Sequence, residues 1–191
     1  MKLVAPPGLI RAIDHPVTRR IDERVAARVD ERRGTNPLLD RSAYALSEAA
    51  NHSLLWHGIN AVDALVGGPR HRRAALRRSI ILGVEQAVVN GPLKSTIERE
   101  RPLAGPHDHP LRTPVTSSFP SGHASASACA ATLLSRDLRM APLWWGLAAA
   151  VAWSRVHVGV HHTSDVVAGA VVGRSLGRVA GLIWPPPRRS R

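Results

Sequence analysis

A chain of 191 residues, 44% of them hydrophobic, can build one domain with a core of its own or a small helical membrane bundle. Its formal net charge of +12, carried by arginine at every basic position except Lys2 and Lys94, suits anionic partners: nucleic acid, anionic lipid head groups or phosphorylated substrates. Cys129 is the single cysteine, which excludes an intrachain disulfide, and its setting among Ala and Ser reads as a small buried hydrophobe.

Residues 1–16 hold three prolines and read as an irregular lead. No apolar stretch of signal-peptide length precedes Arg11, Asp14 and His15, so internal helices would have to deliver an outward-facing site. Residues 17–33 space Val17, Ile21, Val25 and Val29 by four among mixed charges, an amphipathic helix with a narrow apolar stripe. Such a helix either docks on the rest of the protein or lies on a membrane surface. With the lead it makes a segment 1–41, ahead of a helical-bundle domain over 42–184 and a basic tail over 185–191.

Within the bundle, residues 42–66 form an apolar, Trp-bearing segment interrupted by Glu48 and Asp63, and residues 77–93 a second, interrupted by Glu85 and Asn90. Further helices are predicted over 122–135, 140–155 and 164–184. None carries the 18 or so consecutive apolar residues of a clear membrane span, and the mean hydropathy of −0.09 is low for an integral membrane protein. Two patterns nevertheless point to the membrane. Gly169, Gly173, Gly177 and Gly181 lie four apart, and at about 1 kcal/mol per helical glycine such a face implies close helix–helix packing. The arginine-rich segments 68–78, 136–139 and 185–191 would all share one side of a bilayer if the helices alternate, as the positive-inside rule requires. The other side then collects residues 94–121 and 154–165.

Those two segments hold the chemistry. Lys94 is followed after six residues by Arg101-Pro102; next comes Pro120-Ser121-Gly122-His123; residues 154–165 then read SRVHVGVHHTSD, with Ser154-Arg155, His161 and Asp165. Singly, each has an ordinary reading: basic residues at a solvated helix end, a turn before a helix, and an i,i+4 pair on a helix face. In this order and spacing they resemble the three-part signature of the type 2 phosphatidic acid phosphatase superfamily, K-x-x-x-x-x-x-R-P, P-S-G-H and S-R-x-x-x-x-x-H-x-x-x-D, which also includes vanadium haloperoxidases. All eleven fixed positions match across residues 94–165.

The resemblance implies an all-α, membrane-embedded bundle of about five to six helices, with the active site at one end near the membrane interface. A phosphomonoester carries about −1.5 to −2 charges near neutral pH. Lys94, Arg101 and Arg155 would neutralise it, with Ser121 and the backbone at Gly122 adding donors at a helix start. By the family's division of labour His161, oriented by Asp165, attacks phosphorus to give a phosphohistidine, and His123 protonates the leaving alcohol and then activates water. Ser154 matches the motif without an individual role. His157, His161 and Asp165 could be read as a metal site, but the neighbouring cations would repel a divalent ion, and the family chemistry uses no metal and no cofactor. His107, Asp108 and His109 suggest a solvated loop or a substrate entrance.

The function implied is an integral, multi-pass cell-membrane enzyme, its site on the non-cytoplasmic face, that removes a terminal phosphate from a lipid. Phosphatidic acid, phosphatidylglycerol phosphate, a polyprenyl pyrophosphate and the cell-wall lipid phosphorylated decaprenyl-ribose are the candidate substrates. A soluble acid phosphatase or a vanadium-dependent haloperoxidase shares the signature. Nucleic acid, the third anionic partner, is not expected: no recognition motif or aromatic platform accompanies the charge, Phe and Tyr occurring once each. Membrane lipid and the lipid phosphate are the expected partners, and nothing in the pattern speaks to oligomeric state.

Overall fold

Prolines open four of the helices at their first turn, where the missing N–H would be unpaired in any case. The computed structural model describes residues 15–102 and 116–187, and these fold into seven α-helices and no strand. In chain order they are α1 (Pro16–Arg32), α2 (Pro37–Ala49), α3 (Leu54–Val66), α4 (Pro69–Val88), α5 (Gly122–Leu138), α6 (Ala141–His157) and α7 (Thr163–Ile183). The all-α bundle is as expected. The helix count rises because the predicted 42–66 segment breaks at a short 3₁₀ turn, Asn51–Ser53, where His52 and Ser53 adopt left-handed backbone angles. The break has a use at the site, described below. Toward the C-terminus of α4, Pro92 lacks the N–H that would continue the helix, and the chain leaves through a π-turn, Val89–Leu93, that carries Lys94 out at its end.

The central helix is α5, buried along most of its length behind Ser121. The four glycines of α7 line one of its faces. A Cβ at Gly169 or Gly173 would collide with the Ser121 or Ser125 carbonyl, and one at Gly177 would come within 3.1 Å of the Cys129 carbonyl. Close packing, predicted from spacing alone, is therefore backbone against backbone. Replacing Gly173 with valine is expected to destabilise the protein by about 1–3 kcal/mol or more, read as a drop in melting temperature in detergent. An unchanged melting temperature would mean that the two helices are not held this closely. Cys129 is fully buried, and the polar groups facing α5 are matched: Trp56 Nε1 donates to Ser127 Oγ at 3.1 Å, and Ser125 Oγ donates to Glu85.

The arginine-rich segments 68–78 and 136–139 gather at one end, but not as simple solvent-facing anchors, and the arginines of the 185–191 tail lie outside the described residues. Arg77 and Arg78 are buried, and both donate to the Asp137 carboxylate, at 3.2 and 2.9 Å; Arg78 also donates to Asp63. Asp63, an interruption in the sequence pattern, is thus a partly buried counter-charge to Arg78. Arg136 and Arg70 reach the C-terminal carbonyls of Gly181 and Pro187. Large apolar side chains point outward instead. On α4, Leu76, Ile80, Val84 and Val88 are exposed while Arg77, Arg78 and Glu85 face inward, and α7 exposes Val167, Val171 and Leu182. Among the described residues α7 is the one helix that meets the length and apolarity of a membrane span, with a mean hydropathy of 1.5.

Of the apolar stripe expected on α1, Val25 and Val29 turn inward, half-buried along a groove they share with α5, α6 and α7, but the other two residues do not. Val17 and Ile21 stay 55% and 51% exposed, and the buried residue is Asp22, at 5%. Unpaired donors at the start of α7 attract a carboxylate more specifically than an apolar surface attracts valine: Ser164 N and Oγ both donate to Asp22, at 2.9 and 2.6 Å.

Candidate active site

The end of the bundle opposite the Arg77–Asp137 cluster collects the three motif blocks. From the first block, Arg101 is clamped by backbone carbonyls: Nη1 donates to Val160 O at 2.8 Å, and Nη2 to Thr116 O and Ser117 O at 3.1 and 3.3 Å. Lys94 stands in the same electrostatic environment as Arg101, Arg155 and Asp165. Burial, followed by repulsion from the two guanidiniums, pushes its ammonium down to about 8 against the pull of Asp165. A cavity of about 910 Å³ opens beside Lys94, Arg99 and Arg101, with Asn90, Glu98 and Ser117 on its walls.

In the second block, Ser121 is the N-cap of α5: its Oγ accepts from Ala124 N at 3.4 Å and its own N–H donates to Asp165 O at 3.0 Å. The Ser121 hydroxyl, predicted from sequence as a donor to phosphate, is thus engaged through its oxygen as a capping acceptor. Gly122 permits a close approach, but the group that approaches is Asn90, whose Oδ1 lies 2.7 Å from where a Cβ would stand. His123 shares its surroundings with Arg155, His161 and Lys94.

The third block bridges α6 and α7. Arg155 is buried near the end of α6 and donates to Ser47 on α2, while its Nε has no hydrogen-bond partner. Ser154 Oγ turns back to Val151 O at 2.7 Å, which gives this motif position a local, helix-internal bond. After a turn through Gly159, at a φ of 72°, His161 comes to rest within 3.4 Å of Arg101 Nη1 through its Nε2. A guanidinium can only donate, so Nε2 presents its lone pair and the ring proton resides on Nδ1. That nitrogen faces Asp165 Oδ2 at 3.7 Å. Burial pushes His161 down to about 4, with Asp165 opposing the shift and Arg155 and Arg101 adding to it. The ring is therefore neutral at physiological pH, with Nε2 available as a nucleophile.

Four contributors were not visible in the motif. Asn51, set by the break between α2 and α3, accepts from His123 Nε2 at 2.9 Å; its own Nδ2 donates to Glu48 at 3.0 Å, which fixes the amide so that oxygen faces the histidine. His123 Nε2 therefore carries a proton. The other two are Arg99 and Asp22, joined to Asp165. Glu48 was legible only as a charge interrupting an apolar helix, Asn51 and Arg99 only as unremarkable polar residues.

The alternative metal cluster does not assemble. His157 Nε2 lies 2.7 Å from Asp40 Oδ1 on α2, and among the described residues no group of three or more His, Cys, Asp or Glu side chains is disposed to hold a metal ion. His107, Asp108 and His109 lie outside the described residues.

The sequence pattern of the PAP2 superfamily matches residues 76–188. Decaprenylphosphoryl-5-phosphoribose phosphatase of Mycobacterium tuberculosis (strain CDC 1551 / Oshkosh) is 32% identical over 155 residues, covering 78% of this chain and 83% of that one. Its namesake from Mycolicibacterium smegmatis is 37% identical over 134 residues, 66% and 69% of the two chains. Among solved structures, the transmembrane PAP2-type phosphatidylglycerolphosphate phosphatase from Bacillus subtilis superposes with a TM-score of 0.71 at 24% identity, covering 96% of this chain and 94% of that one. Aquifex aeolicus LpxE follows with a TM-score of 0.65 at 20% identity, covering 87% and 96%. At these identities the two structures speak to the fold.

Proposed function

The chain belongs to the PAP2 superfamily, and from that membership and the site geometry we propose that it is a membrane lipid phosphatase acting through a phosphohistidine. The observation that carries this reading is the convergence of Lys94, Arg101, Arg155, His123 and the His161–Asp165 pair at one end of the bundle. The three cations hold the phosphate, with Ser121 and the Gly122 backbone at the N-terminus of α5 adding donors to its oxygens. His161 Nε2 attacks phosphorus, a P–N bond forms as the P–O bond to the lipid breaks, and His123, doubly protonated with its Nε2–H held by Asn51, gives its Nδ1 proton to the departing alkoxide. Water then attacks the phosphohistidine with His123 as base, and inorganic phosphate leaves with the P–N bond broken. Asp165 faces Nδ1 at 3.7 Å and stabilises the positive charge that develops on the ring. No step calls for a metal or cofactor.

Membrane residence is supported by the outward-facing apolar stripes of α4 and α7 and by polar groups packed against α5. The arginine-rich end opposite the site supports a multi-pass arrangement with the site on the non-cytoplasmic face. The relatives are decaprenylphosphoryl-5-phosphoribose phosphatases, which makes the same cell-wall lipid the leading candidate substrate here. The test is a phosphate-release panel in detergent with EDTA present, over that lipid, phosphatidic acid, phosphatidylglycerol phosphate and a polyprenyl pyrophosphate. Release from the decaprenyl lipid is expected. Release from none of them, or only after addition of zinc or magnesium, would overturn the reading, and full extraction without detergent would overturn the membrane assignment.

Lys94 gives the enzyme a pH limit. Its charge is present below about 8 and lost above, so kcat/KM is expected to fall as pH rises through that value. Arginine at this position keeps its proton, and Lys94→Arg should move the limb to higher pH. A pH profile with the same limb in both proteins would assign it elsewhere.

A further inference from the structure

Arg99 stands two residues before Arg101, outside the fixed positions of the motif, and its guanidinium joins two carboxylates that are far apart in sequence. Nη1 donates to Asp165 Oδ1 and, at 2.7 Å, to Ser164 Oγ, while Nη2 donates to Asp22 Oδ2 at 3.0 Å. The loop closes on itself, because the Ser164 hydroxyl donates its own hydrogen bond to Asp22 Oδ2 at 2.6 Å. Asp165 is fully buried and Asp22 nearly so. The second Asp165 oxygen, Oδ2, accepts from His162 N at 2.9 Å and is the one that faces His161.

We propose that Arg99 and Asp22 are positioning residues for His161: they hold the Asp165 carboxylate at the angle that selects the Nδ1–H tautomer, and so make α1 a part of the active-site scaffold. The proposal rests on His161 being the nucleophile. An aspartate held only by one backbone N–H could rotate away from the histidine; a donor on each oxygen prevents this. Asp22 is needed in turn because Arg99 also lines the large cavity. Without its second carboxylate, that guanidinium is free to swing toward the phosphate site and release Asp165.

The rival role for Arg99 is direct phosphate binding, and kinetics separate the two. Arg99→Gln, Asp22→Asn and the double variant are made in the full chain and purified in detergent. Turnover is read on p-nitrophenyl phosphate and pocket affinity from inhibition by orthovanadate. The expected result is a kcat loss of about 10–100-fold in each single variant, with KM and the vanadate constant within about twofold. The double variant should lose little more than the worse single one, because both act through Asp165. A folded Asp22→Asn protein with unchanged kcat would overturn the proposal, whatever its melting temperature. So would an Arg99→Gln protein whose vanadate constant rises tenfold while kcat is kept. Asp22→Asn preserves shape and carries the test alone should Arg99→Gln not fold. A wild-type enzyme that cleaves the aryl ester but no lipid phosphate would refute the lipid reading and leave these comparisons standing.

Discussion

His161→Ala is expected to abolish turnover, with a loss on the order of 10⁴-fold or more, because a covalent nucleophile has no substitute in the remaining machinery. The protein should still fold. The imidazole is buried but weakly tied, its Nε2 3.4 Å from Arg101 and its Nδ1 3.7 Å from Asp165, and the turn that carries it is held by backbone bonds such as Val158 N to Ser154 O. Labelling with a ³²P-phosphomonoester and quenching in alkali should trap a phosphoryl group on the wild-type protein and none on the variant. Equal labelling of both would move the nucleophile elsewhere, and residual turnover near the wild-type rate would remove covalent catalysis at this position altogether.

His123→Asn should cost about 10²–10⁴-fold on an alkyl phosphate, the ordinary worth of a positioned general acid. The size of the loss should follow the leaving group. A lipid alkoxide needs a proton as the P–O bond breaks, whereas p-nitrophenolate leaves without one, so the aryl ester should lose far less in the first step. The hydrogen bond from Nε2 to Asn51 Oδ1, with the amide locked by Glu48, holds one ring proton, so the proton given to the alcohol has to be a second one, on Nδ1. Single-turnover rates on the two ester types decide it. An equal loss on both would mean that His123 binds the phosphate rather than protonating the alcohol.

Much of the site was legible because its chemistry is written in short spacings. Asp165 lies in the first turn of α7, four residues after His161, which stands just ahead of that helix's cap, and Ser121 caps the helix whose second residue is His123. The four glycines of α7 share one helix face, where Gly169, Gly173 and Gly177 meet the backbone of α5 and its N-cap and Gly181 meets the Arg136 side chain. Each of these relations is set by the pitch of a helix or the form of a cap, and local sequence is enough to specify it.

Three features depended on the fold. The amphipathic stripe of α1 suggested an apolar docking face, yet Asp22 makes the buried contact, because its partners Ser164 and Arg99 lie 142 and 77 residues away along the chain. The segment 42–66 looked like one interrupted helix; its break brings Asn51 to a histidine 72 residues distant. Asp63 and Glu85 looked like interruptions in apolar helices and proved to be partners of Arg78 and Ser125. What the sequence determined by itself was the family pattern and the local spacing of the candidate site residues. What the tertiary structure decided was how those groups are held, since the strength of a buried polar contact depends on which group from a distant part of the chain faces it in a site closed to water, and no local spacing encodes that.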